Sequence, residues 1–267
     1  MFTKIAIIGT GNIGTFLFQT LQNQNNISVI SVSGRMIEDL PKDCDLYIFA
    51  LKDDVYETVL QKIPFKMSCA VHTSGALSQG VLGSYAESVG VVYPYQSINE
   101  MIRRLDDEMI RGLDDKMIRG LEDEMMKKTS LLPSCVPVCV EGGDLEFEER
   151  LFQWAKVVFE NVRKVNEKQR FAMHLAAVFA NNFTNAMCGI AYQIFKENDL
   201  DWSLINPVLE NTLEKVKYND PFLVQTGPAA RNDVSIMEKH CNALKDEDLK
   251  ELYQLVSKII QNKLLNL

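Results

Sequence analysis

Three glycines near the start of the chain have the spacing of a phosphate-binding loop. They belong to the GxGxxG sequence Gly9-Thr10-Gly11-Asn12-Ile13-Gly14. An apolar run at Lys4–Ile8 precedes the loop and a helical pattern at Ile13–Leu21 follows it, which is the context the motif requires. Gly9 permits a tight turn, Gly11 lets the backbone approach a pyrophosphate, and Gly14 lets the helix pack on the strand. The motif predicts a dinucleotide-binding loop at a helix N-terminus, with a purely structural glycine turn as the alternative.

The residues after the second predicted strand, Ile27–Val32, indicate which dinucleotide would bind. NAD-specific sites place an Asp or Glu on the adenine ribose, about 20 residues after the glycine loop. This chain has Ser33, Gly34 and Arg35 at that turn, and its nearest acids lie beyond it. A hydroxyl and a guanidinium suit a 2′-phosphate, which Arg can bind through two hydrogen bonds. We therefore expect NADP(H) rather than NAD(H), with Ser33 and Arg35 as ligands; the alternative is that Arg35 is a solvated turn residue.

Polar residues follow another predicted strand, Ala70–His72. The segment reads His72-Thr73-Ser74-Gly75. Ligands of open α/β sheets bind beyond the carboxyl ends of the strands, so this segment is expected to face the nicotinamide. Ser74 could orient a substrate carbonyl or carboxylate, and His72 could donate a proton. The alternative is a hydrogen-bonded loop without chemistry.

A second group of polar residues lies on a long apolar helical pattern. The stretch Phe171–Phe195 has no charged residue but contains His174 and several amides. At about 100° per residue, one narrow stripe holds His174, Asn181 and Asn185, with Asn182 beside it. Such amides are costly in lipid, so we predict a buried helix of a soluble protein rather than a membrane span. The polar residues of this stripe either line a polar cleft or form hydrogen bonds with neighbouring helices. The cleft hypothesis makes His174 a second candidate proton donor and Asn182 a substrate ligand.

The predicted elements divide the chain into two parts. Strand-like runs alternate with helical patterns up to about residue 166, which is typical of a Rossmann-type, mostly parallel α/β sheet. The remaining strand candidates are Leu46–Leu51, Val89–Tyr93, Val136–Val140 and Asn161–Val165. From Glu167 only helical patterns follow, so we predict a cofactor domain at 1–166 and an all-α domain at 167–267. Three eight-residue repeats lie at 101–124. Because a period of eight does not keep apolar residues on one face of a helix, we interpret them as a charged surface insertion.

Charge and cysteine content exclude some classes of protein. The net charge is −8, so bulk electrostatic binding of nucleic acid is not expected. The six cysteines have no CxxC spacing and no histidine completes a zinc site, so we expect no metal. Buried free thiols and no recognisable signal peptide predict a cytoplasmic protein.

Five motifs in order resemble those of a known family. They are GTGNIG at 9–14, HTSG at 72–75, YPYQ at 93–96, HLAAVFANNFTN at 174–185 and TGPAARND at 226–233. These resemble Rossmann-like proteins named as candidate NADP oxidoreductases, which pair a Rossmann domain with a helical domain of unknown function. The layout is more distantly similar to the 6-phosphogluconate dehydrogenase-like superfamily, which includes ketopantoate, pyrroline-5-carboxylate and prephenate enzymes. Ketopantoate reductases carry a lysine where this chain has His174, which argues against the keto-acid chemistry of those enzymes.

The residues and the resemblance together predict an NADP(H)-dependent oxidoreductase that reduces a carbonyl or imine of a small metabolite. Its cleft would lie between the sheet domain and the helices, with His174 or His72 as proton donor and Ser74 and Asn182 as substrate ligands. One alternative is a non-catalytic NADP(H)-binding sensor or scaffold, and another is a deazaflavin-dependent reductase. The apolar helical domain predicts a homodimer, because its few helices cannot cover their own surface.

Overall fold

The structure is a computed structural model that describes residues 1–98 and 136–266. Seven strands of these residues form one sheet, in the order β2-β1-β3-β4-β5-β6-β7. All neighbouring strands are parallel except β5 and β6, which are antiparallel. Their bounds are β1 Lys4–Ile8, β2 Ser28–Val32, β3 Leu46–Phe49, β4 Met67–His72, β5 Ala86–Pro94, β6 Val138–Gly142 and β7 Val162–Lys164. Each predicted strand is confirmed, within a few residues of its predicted ends.

Helices cover both faces of the sheet. Helix α1 (Asn12–Gln22) and helix α3 (Leu145–Val158) place Leu17 and Trp154 in one apolar core, and helix α2 (Tyr56–Leu60) contributes to a second core. All four residues of β3 are buried. Strands buried on both faces read as continuous apolar runs rather than alternating ones, which is why the sequence pattern located them. The predicted Rossmann-type sheet followed by helices is confirmed.

The strand order determines where a ligand site can form. Strands β1 and β3 are neighbours although β2 lies between them in the chain, so the direction of winding changes there. The crevice beyond the carboxyl ends of such strands is where open α/β sheets bind ligands. At this edge lie the glycine loop after β1, the segment Ala50–Asp53 after β3, the turn after β4 and the Tyr95 region after β5.

The carboxyl-terminal part is helical. It contains α4 (Glu167–Ala177), a π-helical segment (Val178–Phe183) and α5 (Thr184–Glu197), followed by α6 Asn206–Tyr218, α7 Val234–Ala243 and α8 Glu247–Leu264. The single helix predicted over Glu167–Asn198 is thus interrupted by a π-helical segment. That segment has more residues per turn than an α-helix, so the stripe drawn at about 100° per residue does not continue unchanged through it.

The described chain forms two compact units, Met1–Asn185 and Ala186–Leu267. The first unit therefore includes α4, which the sequence assigns to the second domain beginning at 167. A physical reason is that Arg170 and Met173 of α4 pack against residues of the sheet. The boundary at 166 stays a prediction about domains, and the repeats at 101–124 lie outside the described residues.

The prediction that Phe171–Phe195 is buried is wrong for the single chain. None of these residues is buried, and several large apolar side chains are exposed, including Phe171, Leu175, Phe179 and Phe183. An apolar composition predicts burial, but in the single chain these side chains are accessible to solvent. No described helix is long and apolar enough to cross a membrane.

Candidate active site

The glycine loop has the geometry that its sequence predicts. Gly9 has a φ of 122°, and a Cβ there would collide with the carbonyl oxygen of Ala50 on the neighbouring strand end. A Cβ on Gly14 would collide with the Gly9 carbonyl. A Cβ on Gly11, in contrast, would meet no atom within 4 Å, so it would project into the space above the loop. Two glycines therefore permit the fold of the loop, and Gly11 leaves room for a ligand.

The amino terminus of α1 is available to an anion. Gly11 is the N-cap residue, no side chain caps this end, and the first turn contains no acidic residue. Among the other loop residues, Thr10 is exposed and Ile13 packs against the core. Asn12 donates from Nδ2 to the carbonyl of Ile98 at 3.1 Å, which ties the loop to the segment after β5. Uncapped N–H groups above an open glycine fit a pyrophosphate.

The turn after β2 lies beside this loop. The N–H of Gly9 donates to the carbonyl of Val32 at 2.9 Å, so the end of β2 is held next to the glycine loop. Ser33 Oγ accepts the N–H of Arg35 at 3.4 Å, and the Arg35 side chain is exposed. Among the described residues, Arg35 makes no ion pair. An exposed guanidinium at this place fits a 2′-phosphate.

His72 is a buried residue of the sheet. Its side chain is fully buried at the end of β4, its Nδ1 accepts the N–H of Ser74 at 3.2 Å, and its ring meets that of Tyr56 edge to face. Burial, assisted by the charge of Arg170, lowers the pKa of His72 to about 4. The imidazole is therefore neutral at physiological pH, and its proton donation stays a prediction that these contacts do not favour.

Ser74 shapes the turn after β4. Its hydroxyl donates to Oδ2 of Asp53 at 3.0 Å and accepts the N–H groups of Ala76 and Leu77, each at 3.0 Å. A hydroxyl has one donor and two acceptor positions, so these contacts occupy all of them. Substrate binding by Ser74 stays a prediction, and it would require one of these hydrogen bonds to break.

His174 reaches the same edge from α4. Its Nδ1 lies 3.1 Å from the hydroxyl of Tyr93, and the two rings meet edge to face with centroids 6.1 Å apart. A Cβ on Gly75 would lie 2.6 Å from Nδ1, so the ring packs against a position where a larger residue would not fit. Burial raises the pKa of Tyr93 to about 12, which keeps its hydroxyl protonated. With Nδ1 turned toward Tyr93 and Gly75, Nε2 is the nitrogen left for a ligand.

Asn182 is exposed and lies in the π-helical segment. It follows His174 by eight residues, which corresponds to roughly two helical turns. A small metabolite that touches His174 at one end would thus reach Asn182 only with its other end. The described structure brings His72, Ser74 and His174 around Gly75 but does not bring Asn182 to them.

The sequence does not predict the contacts of four residues that shape this edge. Tyr93 and Gly75 lie in motifs that follow predicted strands, but their contacts with His174 join strand ends and a helix far apart in the chain. Glu141 and Arg170 form a buried ion pair behind the turn after β4. The spacing of Arg170 and His174, one helical turn apart, is the signal that could have indicated a shared face.

The described chain thus has a Rossmann-type fold with a glycine loop suited to a dinucleotide and a histidine at the same edge. Residues 136–260 match the model of a domain of unknown function, DUF2520. No curated protein matches the chain. The predicted resemblance to candidate NADP oxidoreductases with a helical domain of unknown function is confirmed.

Solved structures extend this similarity over nearly the whole chain. A Bacteroides fragilis protein named as a candidate NADP oxidoreductase is 26% identical, with a TM-score of 0.79 and coverage of 97% of this chain and 98% of that chain. A pyrroline-5-carboxylate reductase from Streptococcus pyogenes shares the fold at 14% identity, with a TM-score of 0.55 over 99% and 98% of the two chains. An imine reductase from Aspergillus terreus, in complex with NADPH4, shares it at 13% identity, with a TM-score of 0.57 over 98% and 95%.

Proposed function

We propose that this protein is an NADP(H)-dependent oxidoreductase that reduces a carbonyl or imine carbon of a small metabolite. The observation that carries the proposal is the presence of His174 at the edge of the sheet that also carries the open glycine loop. The name of the Bacteroides fragilis protein supports the cofactor and the class of reaction. The cleft would lie between the strand ends and α4, both within the first unit. We expect the reaction to take place in the cytoplasm, where the free thiols of this chain would stay reduced.

Different residues of the first unit would bind different groups of NADP(H). The N–H groups at the start of α1 would bind the pyrophosphate, and Gly11 would let it approach. Ser33 and Arg35 would bind the 2′-phosphate, which distinguishes NADP(H) from NAD(H). Asn12 and Thr10 would line the loop.

The proposed chemistry needs one hydride and one proton. Bound NADPH supplies the hydride to the substrate carbon. His174 would donate its Nε2 proton to the substrate oxygen or nitrogen, as a general acid. Tyr93 holds the other nitrogen of the ring, so the direction in which Nε2 points does not depend on the substrate. We assign the proton to His174 rather than His72 because the His72 side chain is fully buried and neutral.

Two glycine variants test the cofactor site. Gly11→Val adds atoms where the protein has none within 4 Å, at a φ of −77° that any residue adopts, so it should fold normally and lose NADPH binding. Gly14→Val is the matched control, because its side chain would collide with the Gly9 carbonyl and destabilise the fold itself. Calorimetric titration with NADPH and thermal melting separate the two effects. Unchanged NADPH affinity in Gly11→Val would contradict the proposed site.

A substrate panel tests the reaction. NADPH oxidation is followed by absorbance with a cyclic imine (1-pyrroline), a 2-keto acid (pyruvate) and an aldehyde. Turnover of any of them supports an oxidoreductase. Tight NADPH binding without turnover of a broader panel would favour the sensor or scaffold, and binding of a deazaflavin in place of NADPH would favour the third hypothesis.

We also propose that the helices from residue 167 onward form a homodimer. Of the described residues from 171 to the end, only Ala229 is buried, although α4 to α6 carry many large apolar side chains. Many exposed large apolar side chains are typical of a protein interface, and a two-fold contact is the commonest symmetric solution. The net charge of −8 argues against nucleic acid or an anionic membrane surface as the partner. Light scattering at micromolar concentration tests the proposal, and a monomer would contradict it.

A further inference from the structure

The guanidinium of Arg170 is enclosed by protein although it lies near the start of α4. The Arg170 side chain is 0% exposed. Its Nε donates to Oε2 of Glu141 on β6 at 3.0 Å, and its Nη1 donates to the carbonyl of Ser74 at 3.0 Å. Arg170 therefore joins three segments that are far apart in the chain: α4, β6 and the turn after β4.

Stability alone does not account for this pair. Burying two charges has a desolvation cost, and well-packed apolar residues in their place are often equally stable or more so. Burial raises the pKa of the Glu141 carboxyl, and the hydrogen bond and charge of Arg170 offset only part of that rise. Nη2 of Arg170 is also buried and has no hydrogen-bond partner among the described residues. The hydrogen bonds of the Arg170–Glu141 pair therefore do not fully compensate the desolvation of its two charges.

The position of the pair relates it to the candidate active site. Arg170 and His174 are four residues apart on α4, so they share one face of the helix. The first holds the carbonyl of Ser74, and the ring of the second packs against Gly75, the next residue of the same turn. Ser74 and Gly75, which are consecutive in the loop after β4, are thus contacted by side chains one helical turn apart on α4. A small shift of α4 along the turn would move the His174 ring away from Gly75 and Tyr93.

We propose that Arg170 and Glu141 are positioning residues that set the place of the His174 ring relative to the turn after β4. They do not touch the substrate in this proposal. Glu141 orients the guanidinium, and the guanidinium holds the Ser74 carbonyl. These contacts fix the position of α4 along its axis relative to the loop after β4, so that Nδ1 of His174 lies beside the hydroxyl of Tyr93. The proposal rests on the proposed function, in which His174 acts at this edge.

The test compares three variants of the full chain. Arg170→Met leaves a buried carboxylate unpaired, and we expect it to lower the melting temperature. The double variant Arg170→Met with Glu141→Leu replaces the pair by apolar side chains, and we expect it to recover much of that loss. Lys164→Met with Glu149→Leu removes an exposed ion pair of the same unit and serves as the control. If the double variant does not fold, Arg170→Gln takes its place, because its shorter amide side chain keeps a donor for Glu141 but does not also hold the Ser74 carbonyl.

Two readouts distinguish positioning from a structural role. The chain has three histidines, so the imidazole resonances of His174 can be assigned by their loss in His174→Ala. In the folded double variant we expect these resonances to shift and the turnover of 1-pyrroline or pyruvate to fall by about 10- to 100-fold, the usual effect of a displaced catalytic group, with NADPH affinity unchanged. Where Arg170→Gln stands in, the same shift and the same fall in turnover support the proposal.

Two results would contradict a positioning role of Arg170 and Glu141. A double variant, or Arg170→Gln in its place, with wild-type His174 resonances would overturn the proposal, as would wild-type turnover per folded molecule. If the wild-type protein turns over neither probe, the proposed reaction is in question while the resonances still decide whether the pair positions His174.

Discussion

Replacing His174 with alanine removes two interactions with different consequences. Nε2 is the proposed proton donor, and Nδ1 is the described partner of the Tyr93 hydroxyl at 3.1 Å. Loss of a positioned acid–base group typically lowers turnover by about 10²–10⁴-fold. NADPH affinity should change little, because the proposed cofactor ligands are on the glycine loop and the turn after β2.

The second consequence is a loss of stability. Tyr93 is 8% exposed, so its hydroxyl would lose its partner in a largely buried place. An unsatisfied buried group costs about 1–3 kcal/mol, and each kcal/mol lowers the melting temperature by roughly 2–4 °C in a chain of this size. Because burial raises the pKa of Tyr93 to about 12, its hydroxyl stays protonated between pH 6 and 9.

Tyr93→Phe provides the control that separates these effects. In a Tyr93→Phe background no hydroxyl is left to lose its partner, so His174→Ala should then cost less stability and still abolish most of the turnover. Melting is followed by circular dichroism, and turnover by NADPH absorbance with the substrate found in the panel. A His174→Ala protein that is destabilised but fully active would refute the reasoning. The proton would then come from His72 or water, and α4 would serve only packing or assembly.

Three further predictions concern the cofactor, the second histidine and the assembly. Arg35→Ala should remove about 1–3 kcal/mol of the preference for NADPH over NADH, as for a hydrogen bond to a charged group; equal calorimetric affinities in the wild type would contradict this. The pKa of His72 falls from an ordinary 6.5 to about 4 on folding, so the unfolded state binds more protons between these values. Stability is therefore retained above pH 6.5 and falls, by roughly 3 kcal/mol at most from this group, as the pH drops toward 4. The His72 resonance should stay that of neutral imidazole at pH 5.5, and titration near 6.5 would contradict the burial of its ring. Replacing the exposed Phe179 and Phe183 together with serine should weaken the proposed homodimer in light scattering without unfolding the first unit, and an unchanged assembly would remove these rings from the interface.

The strands and the loops at their ends could be predicted because both depend on local patterns. A buried parallel strand is a continuous apolar run, and the carboxyl ends of parallel strands share one edge. Gly9 and Ser33 follow predicted strands and His72 ends one, so their common edge could be inferred without knowing any contact between them. The roles of the side chains at that edge could not be predicted in this way. The buried neutral state of His72, for example, depends on its contacts with Tyr56 and Arg170, which are distant in the chain.

Burial of the long apolar helix could not be decided from its composition. An apolar helix requires something to cover it, and the sequence does not say whether that is the same chain or another. The exposed Phe179 and Phe183 of the π-helical segment stack edge to face on each other, 5.0 Å between centroids, with no buried side chain around them in that segment. The interruption of the helix there was also not predictable, because Val178–Phe183 contains neither proline nor glycine.

The Arg170–Glu141 pair shows why a charged residue can be overlooked in a helical pattern. Arg170 stands in the first turns of α4 among Glu167 and Lys168, a composition that is typical of a solvated helix start. Its partners lie 29 residues away in Glu141 and 96 residues away in Ser74, so no local rule connects them. Only the four-residue spacing to His174 relates Arg170 to the site, since side chains at that spacing lie on one face of a helix. If one of the two reaches the sheet edge, the other must lie against the same surface, and a charge there can be buried only if a carboxylate or carbonyl of the sheet comes to meet it.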